Sequence, residues 1–256
     1  MGWDAATRGR GRMALVFIVS TLPVGGCDRE KAAEPATSSS AAASASAHPC
    51  ALGDDVDPPA GRLLAVRDQF EQKDYAQAER ALRALAKEYP YSAVVRFVLG
   101  DTLLYGAGSD TAEYEHAAQS ALPQYAQARA LVHQGCPLAE RDEYYLLMGS
   151  AYAHLRERDG AAATAVLEEA YRRWPTSAEI TYHLARAACL RGDVAECAAR
   201  FETTLHIARA LQRPRFLRTH HSVDDWIRRS RTQSEFPPLR KSPAYAKLLK
   251  RVESER

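Results

Sequence analysis

The chain has 256 residues, with 34 Lys plus Arg against 32 Asp plus Glu and a formal net charge of +2. We expect neither a nucleic-acid partner nor a cofactor. The charge is unevenly distributed, because residues 211–256 hold 12 basic and 5 acidic side chains (+7), whereas residues 27–210 hold 19 and 26 (−7). We expect the basic segment to pack on the acidic body. Attraction to anionic lipid or to an acidic partner is the alternative.

The N-terminus has the order of segments found in a secretory leader. Three arginines precede an apolar run at residues 13–24, and a Val-Gly-Gly-Cys sequence then ends at Cys27. The run is shorter than the roughly 20 residues that span a bilayer, which argues against a transmembrane helix. Together these segments resemble the lipobox of a bacterial lipoprotein. The resemblance implies a signal peptide at 1–26, lipidation of the Cys27 thiol, and attachment to the extracytoplasmic side of a membrane in the cell envelope, with the choice of membrane left open.

Residues 27–60 are predicted to form a tether. Ala, Ser, Thr, Pro and Glu dominate residues 31–48, and such a segment cannot bury enough apolar surface to offset chain entropy. We therefore expect a disordered spacer that holds a folded body away from the bilayer. The remaining residues are numerous enough for a domain with a substantial core, divided into a repeat region at 61–210 and a C-terminal segment at 211–256.

Apolar residues recur with helical spacing in the repeat region. Similar units have equivalent positions at Ala65, Leu99, Met148 and Leu184. They resemble degenerate tetratricopeptide (TPR) repeats, which are helical hairpins that stack into a solenoid. The resemblance implies an all-α, TPR-like helical-hairpin solenoid. Within each hairpin two helices should approach at a pair of small positions, which are Val66 with Ala78, Gly149 with Ala163, and Ala185 with Cys197.

The repeat pattern breaks between residues 106 and 141. Asp110 is a predicted N-cap, and apolar residues at spacings of three and four follow it over 114–132. Pro123 lies inside this stripe and predicts either a kinked long helix or two short helices. Whether this stretch forms a full repeat is therefore left open.

The C-terminal segment is also predicted to be helical. Ser222 and Asp225 have the spacing of a capping box at the start of a helix, and Ser242 followed by Pro243 marks the start of another. Segments of this kind often follow TPR arrays in bacterial proteins. We expect residues 211–256 to form a short helical cap over the exposed end of the last repeat.

Four cysteines remain besides that of the lipobox, and an extracytoplasmic location would permit disulfides. Cys189 and Cys197 flank a Gly-Asp turn. The repeat register pairs Cys197 with Ala185 instead, which argues against a disulfide between them. Cys50 and Cys136 form another possible disulfide, although sequence alone does not fix the connectivity.

An enzyme is the first alternative considered. His220, His221, Asp224 and Asp225 have the residue types of a hydrolytic or metal-dependent site. However, these aspartates stand at a predicted helix start, where they interact favourably with the helix dipole. No motif of a serine hydrolase, zinc protease, phosphate loop or dinucleotide site occurs, and no metal site with ligand spacing is visible. We therefore expect a non-enzymatic protein without a metal.

The most promising functional surface is the one that the TPR resemblance implies. In that family the first helix of each unit lines a groove, and aromatic and charged side chains in a groove suit an extended peptide or a helix. The implied function is a membrane-anchored scaffold that binds a protein or peptide partner in the cell envelope. An anionic polymer or lipid binder using the basic C-terminal segment is the second alternative. The implied groove residues are Arg67, Phe70, Asp101, Tyr105, Ser150, His154, Tyr182 and Arg186.

Overall fold

The computed structural model describes residue 50 and residues 56–106, 111–217 and 221–255, with the backbone alone at 111–115. The predicted signal peptide, Cys27 and nearly all of the predicted tether lie outside the described residues. The predicted domain limits at residues 26, 60 and 210 therefore stay predictions. Among the described residues no helix is both long enough and apolar enough to cross a bilayer.

The described part of the chain is all-α, as the sequence predicts, and contains no strand. Consecutive helices contact one another in pairs along the chain, and the odd-numbered helices α3, α5 and α7 also contact each other. This is the arrangement of stacked helical hairpins, four in number from α1 to α8. The helices are α1 (Ala60–Glu71), α2 (Tyr75–Glu88), α3 (Ala93–Gly106), α4 (Thr111–His133), α5 (Glu140–Arg156), α6 (Gly160–Arg173), α7 (Ala178–Leu190), α8 (Val194–Arg209), α9 (Val223–Thr232), α10 (Pro237–Arg240) and α11 (Pro243–Ser254).

Three of the hairpins turn by the same local device. In each, a residue with positive φ precedes an aspartate whose carboxylate accepts a hydrogen bond from the backbone N–H three residues later. The positive φ ends the first helix and the aspartate caps the second. The residue pairs are Lys73 with Asp74, Arg158 with Asp159, and Gly192 with Asp193.

The stretch with the broken pattern forms the second helix of a hairpin. Helix α4 is one continuous element of 23 residues with Pro123 inside it, so the alternative of two short helices is wrong. Helix α4 packs along both α3 and α5. The predicted N-cap Asp110 lies outside the described residues.

A tyrosine of α4 fills the space that two glycines leave open. Tyr125 is fully buried, and a Cβ on Gly100 would lie 2.7 Å from its ring. A Cβ on Gly149 would lie 2.8 Å from the Tyr125 hydroxyl oxygen. That hydroxyl donates a 2.7 Å hydrogen bond to Oδ1 of Asp101. Tyr125 therefore wedges between α3 and α5, and the small residue at Gly149 makes room for the preceding hairpin.

Two disulfides join the cysteines other than Cys27. Cys50 is bonded to Cys136 in the α4–α5 loop, with Cα atoms 5.1 Å apart, which is the pair proposed from sequence. Cys189 is bonded to Cys197 across the α7–α8 turn, with Cα atoms 5.2 Å apart. The argument against this second disulfide is wrong, because the last turn of α7 and the first turn of α8 bring the two residues opposite one another. Cys197 is still fully buried at its small position.

The C-terminal helices cover the last hairpin. Ser222 and Asp225 form the predicted capping box at the start of α9, and Ser242 caps α11. Trp226 stacks on Tyr182 of α7 with ring centroids 4.7 Å apart, and α9, α10 and α11 all contact α8. Arg251 of α11 pairs with Glu202 of α8. Two other ion pairs between the cap and the body have the opposite polarity, with Arg186 on Glu235 and Arg209 on Glu255. The cap therefore packs on the body, but the ion pairs do not show that its net positive charge holds it there.

Candidate functional site

The candidate site is the surface formed by α3, α5 and α7, together with the parts of the C-terminal cap that adjoin α7. We call it the first-helix face. The three helices lie side by side, and each places polar and aromatic residues at spacings of three, four or seven on the same side. The residues that define the face are Asp101 and Tyr105 of α3, Asp142, Tyr145, Tyr152 and Arg156 of α5, and Glu179, His183 and Arg186 of α7.

Tyr152 lies at the centre of the face. The guanidinium carbons of Arg156 and Arg186 lie 4.9 Å and 5.5 Å from the centroid of its ring, and the His183 ring centroid is 6.2 Å away. Stacking of this kind holds flat cationic groups against an aromatic face. The half-buried ring of Tyr152 offers a partner apolar area, whereas Arg186 is itself buried and serves to hold the ring in place.

The α3 side of the face contains a buried carboxyl group. Asp101 is 3 % exposed, and burial raises its pKa to about 7, although the hydrogen bond from Tyr125 opposes the change and the charge of Asp142 adds to it. Burial also raises the pKa of the neighbouring Tyr105 hydroxyl, and the charge of Asp101 raises it further. Near neutral pH this part of the face therefore holds a carboxyl group that is close to half protonated.

The α7 side combines a desolvated carboxylate with a neutral histidine. Burial raises the pKa of Glu179, and the 3.1 Å hydrogen bond that the Tyr144 hydroxyl donates to Oε2 partly offsets this. Burial lowers the pKa of His183 far below its usual value, and the charges of Arg186 and Arg229 lower it further. The ring is therefore neutral, which suits the 3.0 Å contact in which Nη1 of Arg186 donates to Nδ1 of His183.

A buried ion pair joins the face to the C-terminal cap. Nη2 of Arg186 lies 2.6 Å from Oε1 of Glu235, and both side chains are only 6 % exposed. Burial alone would raise the pKa of Glu235, but the charge and hydrogen bond of Arg186 outweigh it, so the pKa lies below its ordinary value. Glu235, which lies just before α10, therefore borders the first-helix face.

The eight residues implied by the TPR resemblance do not all reach this surface. Asp101, Tyr105 and Arg186 lie on the first-helix face. Ser150 and Tyr182 are each only 2 % exposed, and Tyr182 packs on Trp226. Asp101 at 3 % and Arg186 at 5 % are nearly as buried, so burial does not set Ser150 and Tyr182 apart from them, and the assignment of all four residues to a groove stays a prediction.

The remaining three implied residues lie elsewhere. Phe70 packs edge-on against Tyr75 of its own hairpin, 5.1 Å between centroids, and Arg67 pairs along α1 with Glu71 at 3.4 Å. His154 is half-buried, and the charges of Asp159 and Arg129, which lie away from the first-helix face, act on its pKa. Whether any of the eight contacts a partner stays a prediction.

The sequence reasoning missed six members of the face, which are Asp142, Tyr145, Tyr152, Arg156, Glu179 and His183. Tyr145 and Tyr152 are separated by seven residues, and Glu179 and His183 by four. These helical spacings were a usable signal, because they place each pair on one side of its helix.

The residues of the enzyme alternative are engaged in local structure. His220 lies outside the described residues. Nε2 of His221 is 3.0 Å from the Arg229 guanidinium, and its ring packs edge-on against Trp226. The carboxylate of Asp225 accepts from Ser222 and from Arg228. No group of three or more His, Cys, Asp and Glu with the arrangement of a metal site is found among the described residues.

Comparison with known proteins supports the repeat architecture. Residues 154–216 match the tetratricopeptide repeat family. Among 13 matching chains of solved structures is the MamA RS-1 ArsTM double mutant, with a TM-score of 0.51 and 12 % identity over 79 % of this chain and 97 % of that chain. At this identity the likeness concerns the fold alone. No curated protein matches.

The fold is thus an array of TPR-like helical repeats. The family match covers the end of α5, the helices α6, α7 and α8, and the segment up to Phe216. Such arrays typically act as scaffolds for protein interaction rather than as enzymes.

Proposed function

We propose that the chain is a cell-envelope lipoprotein whose first-helix face binds an extended segment of a protein partner. The observation that carries the proposal is the position of Tyr152, half-buried between the guanidinium groups of Arg156 and Arg186 on the first-helix side of a TPR-like array. Tyrosine and arginine are the residues that most often dominate the binding energy of an interface. Burial raises the pKa values of Asp101 and Glu179, and the charge of Arg186 is balanced by Glu235, so the face offers a partner mainly the ring of Tyr152.

The disulfides support an extracytoplasmic location. The chain has five cysteines, and the bonds Cys50–Cys136 and Cys189–Cys197 use every one except Cys27. Paired cysteines are typical of oxidising compartments and rare in the cytoplasm. A single unpaired cysteine at the end of a leader-like segment is what lipidation of Cys27 requires.

Site-specific photocrosslinking tests the binding face. A photoreactive phenylalanine at position 152 should crosslink a discrete partner in intact cells. The matched control is the same group at Ala199, an exposed position on α8 outside the face. Tyr152→Ala should abolish co-purification of that partner, whereas Tyr152→Phe, which keeps the ring, should retain it. Crosslinking of the same species from both positions would overturn the assignment of the face.

Metabolic labelling tests the anchor separately. Cells fed an alkyne-tagged fatty acid should label the wild-type chain and should not label Cys27→Ser. Equal labelling of the two chains, or none in either, would contradict lipidation at Cys27 and leave the binding face to be judged on the crosslinking result.

A further inference from the structure

One edge of the helical array differs from the rest of the described surface. It consists of the α2–α3, α4–α5 and α6–α7 loops and the segment after α8, because consecutive hairpins place these connections at the same ends of their helices. The Cys50–Cys136 disulfide lies in the α4–α5 loop of this edge. Cys50, the described residue nearest in sequence to Cys27, is therefore held here, and we call this surface the disulfide edge.

The disulfide edge exposes apolar side chains. Tyr91 in the α2–α3 loop is 44 % exposed and Leu211 after α8 is 64 % exposed, and they are the strongly exposed large hydrophobic residues of the described chain. They belong to the first and last hairpins. Both nevertheless lie on the edge that holds the disulfide. Single exposed hydrophobic residues are ordinary, so these two carry weight only together with the charge of the same edge.

The same edge carries uncompensated positive charge. Lys87, Arg172, Arg213 and Arg215 are exposed, and none of them forms a salt bridge within the part of the chain that the structure describes. The nearby carboxylates are already engaged, since Glu88 pairs with Arg62.

Two further carboxylates of this edge are also occupied. Glu143 pairs with Arg173, and Glu140 accepts a 3.1 Å hydrogen bond from the Trp174 indole. Basic residues are common in the last turn of a helix because of its dipole. That preference accounts for Lys87 and Arg172 but not for Arg213 and Arg215, which follow the end of α8.

We propose that the disulfide edge lies against an anionic lipid bilayer, with Tyr91 and Leu211 at the level of the headgroups and the four cations facing lipid phosphates. The proposal rests on the proposed lipid anchor. The composition between Cys27 and Cys50 predicts a flexible tether, and a random coil of 23 residues would have a root-mean-square span of about 26 Å. A surface held so near the bilayer needs only weak intrinsic affinity, because the tether supplies a high effective concentration. In this orientation the first-helix face points along the plane of the membrane, and the opposite edge of the array points away from it.

Depth-dependent quenching tests the orientation on the full-length chain. Leu211→Trp reports from the disulfide edge. The matched control, Ala195→Trp, reports from an exposed position in the first turn of α8 at the opposite edge. Each variant is reconstituted into phosphatidylcholine vesicles containing a bromine-labelled lipid, with or without about 30 % phosphatidylglycerol. The signal of the parent chain, which has its own tryptophans, is subtracted.

Quenching at position 211 should exceed quenching at position 195 by at least about twofold in anionic vesicles and should weaken at about 0.5 M salt. Replacing Arg213 and Arg215 with Gln should lower partitioning of the edge about fivefold for each charge removed. Equal quenching at the two positions would overturn the proposal. Quenching at position 211 that changes neither with anionic lipid nor with salt would also overturn it.

The anchor and the edge can be judged separately. In a Cys27→Ser background the total quenching should fall, because the tether no longer raises the effective concentration, but at low salt and high lipid concentration the bound chain should still show the preference for 211 over 195. Loss of membrane fractionation in Cys27→Ser, together with equal quenching at 211 and 195, would support the anchor and refute the edge. The reverse outcome would support the edge and refute the anchor.

Discussion

The buried carboxyl group of Asp101 makes the stability of the array depend on pH in a way that one substitution should remove. Its pKa is raised from 3.8 to about 7 in the folded state. The folded chain therefore holds a proton that the unfolded chain releases between these values. The stability from this group is complete below about pH 4 and is lost as the pH rises towards 7. A change of about 3 pKa units corresponds to about 4 kcal/mol, and at 3 % exposure solvent screening reduces it little.

Asp101→Asn keeps an oxygen that can accept the Tyr125 hydrogen bond and removes the ionisation. Its free energy of unfolding relative to wild type should rise by about 4 kcal/mol between pH 4 and pH 8. The added amide N–H₂ group carries a cost of about 1–3 kcal/mol if it lacks an acceptor, but this cost is independent of pH. Urea denaturation followed by circular dichroism, with disulfides intact, measures the difference. Asp68→Asn, at an exposed position on α1, is the matched control. Parallel pH profiles for wild type and Asp101→Asn would refute the reasoning.

Three further changes test how the array is held together. Gly149→Ala puts a Cβ 2.8 Å from the Tyr125 hydroxyl oxygen and should destabilise by about 1–3 kcal/mol. Gly61→Ala, with nothing within 4 Å, should be neutral or gain up to about 1 kcal/mol, and equal thermal shifts for the two would contradict the tyrosine wedge. Arg186→Met should cost about 3–5 kcal/mol by leaving the Glu235 carboxylate buried without its partner. Adding Glu235→Gln should recover part of that loss in urea denaturation, and the absence of any recovery would count against the buried pair. Replacing both cysteines of the α4–α5 disulfide by Ala should cost about 4–5 kcal/mol, against about 2–3 kcal/mol for the α7–α8 disulfide, because the bonds join residues 86 and 8 positions apart; the opposite order would show that loop closure is not the dominant effect.

The repeat architecture could be predicted because its signals are local. An aspartate after a residue that tolerates positive φ both ends one helix and caps the next, and Gly192 with Asp193 shows this in the sequence. The capping box of Ser222 and Asp225 at the start of α9 is likewise visible in the sequence. Such features require only neighbouring residues, so they can be recognised without knowledge of tertiary contacts.

Only part of the composition of the first-helix face could be predicted, because the residues that reach this face depend on how each helix is rotated about its own axis. Each residue turns a helix by about 100 degrees, so a register error of one position moves a side chain from a groove to the core. The buried ones among the implied groove residues are Asp101, Ser150, Tyr182 and Arg186. The position of Tyr125 between Gly100 and Gly149 depends on contacts between residues 24 or more positions apart. Nothing in the local pattern of α4 indicates that contact.

The C-terminal cap has a larger role than covering the apolar end of the last hairpin. A cap that served only that purpose would need apolar contacts such as Trp226 on Tyr182. This cap also supplies Glu235, which fixes the guanidinium of Arg186 where it stacks on Tyr152. A buried ion pair contributes little net stability compared with apolar packing, but it defines geometry strongly. The position of the cationic groups beside Tyr152 is therefore set by the cap, and a partner bound at Tyr152 is coupled to the packing of the cap through this one arginine.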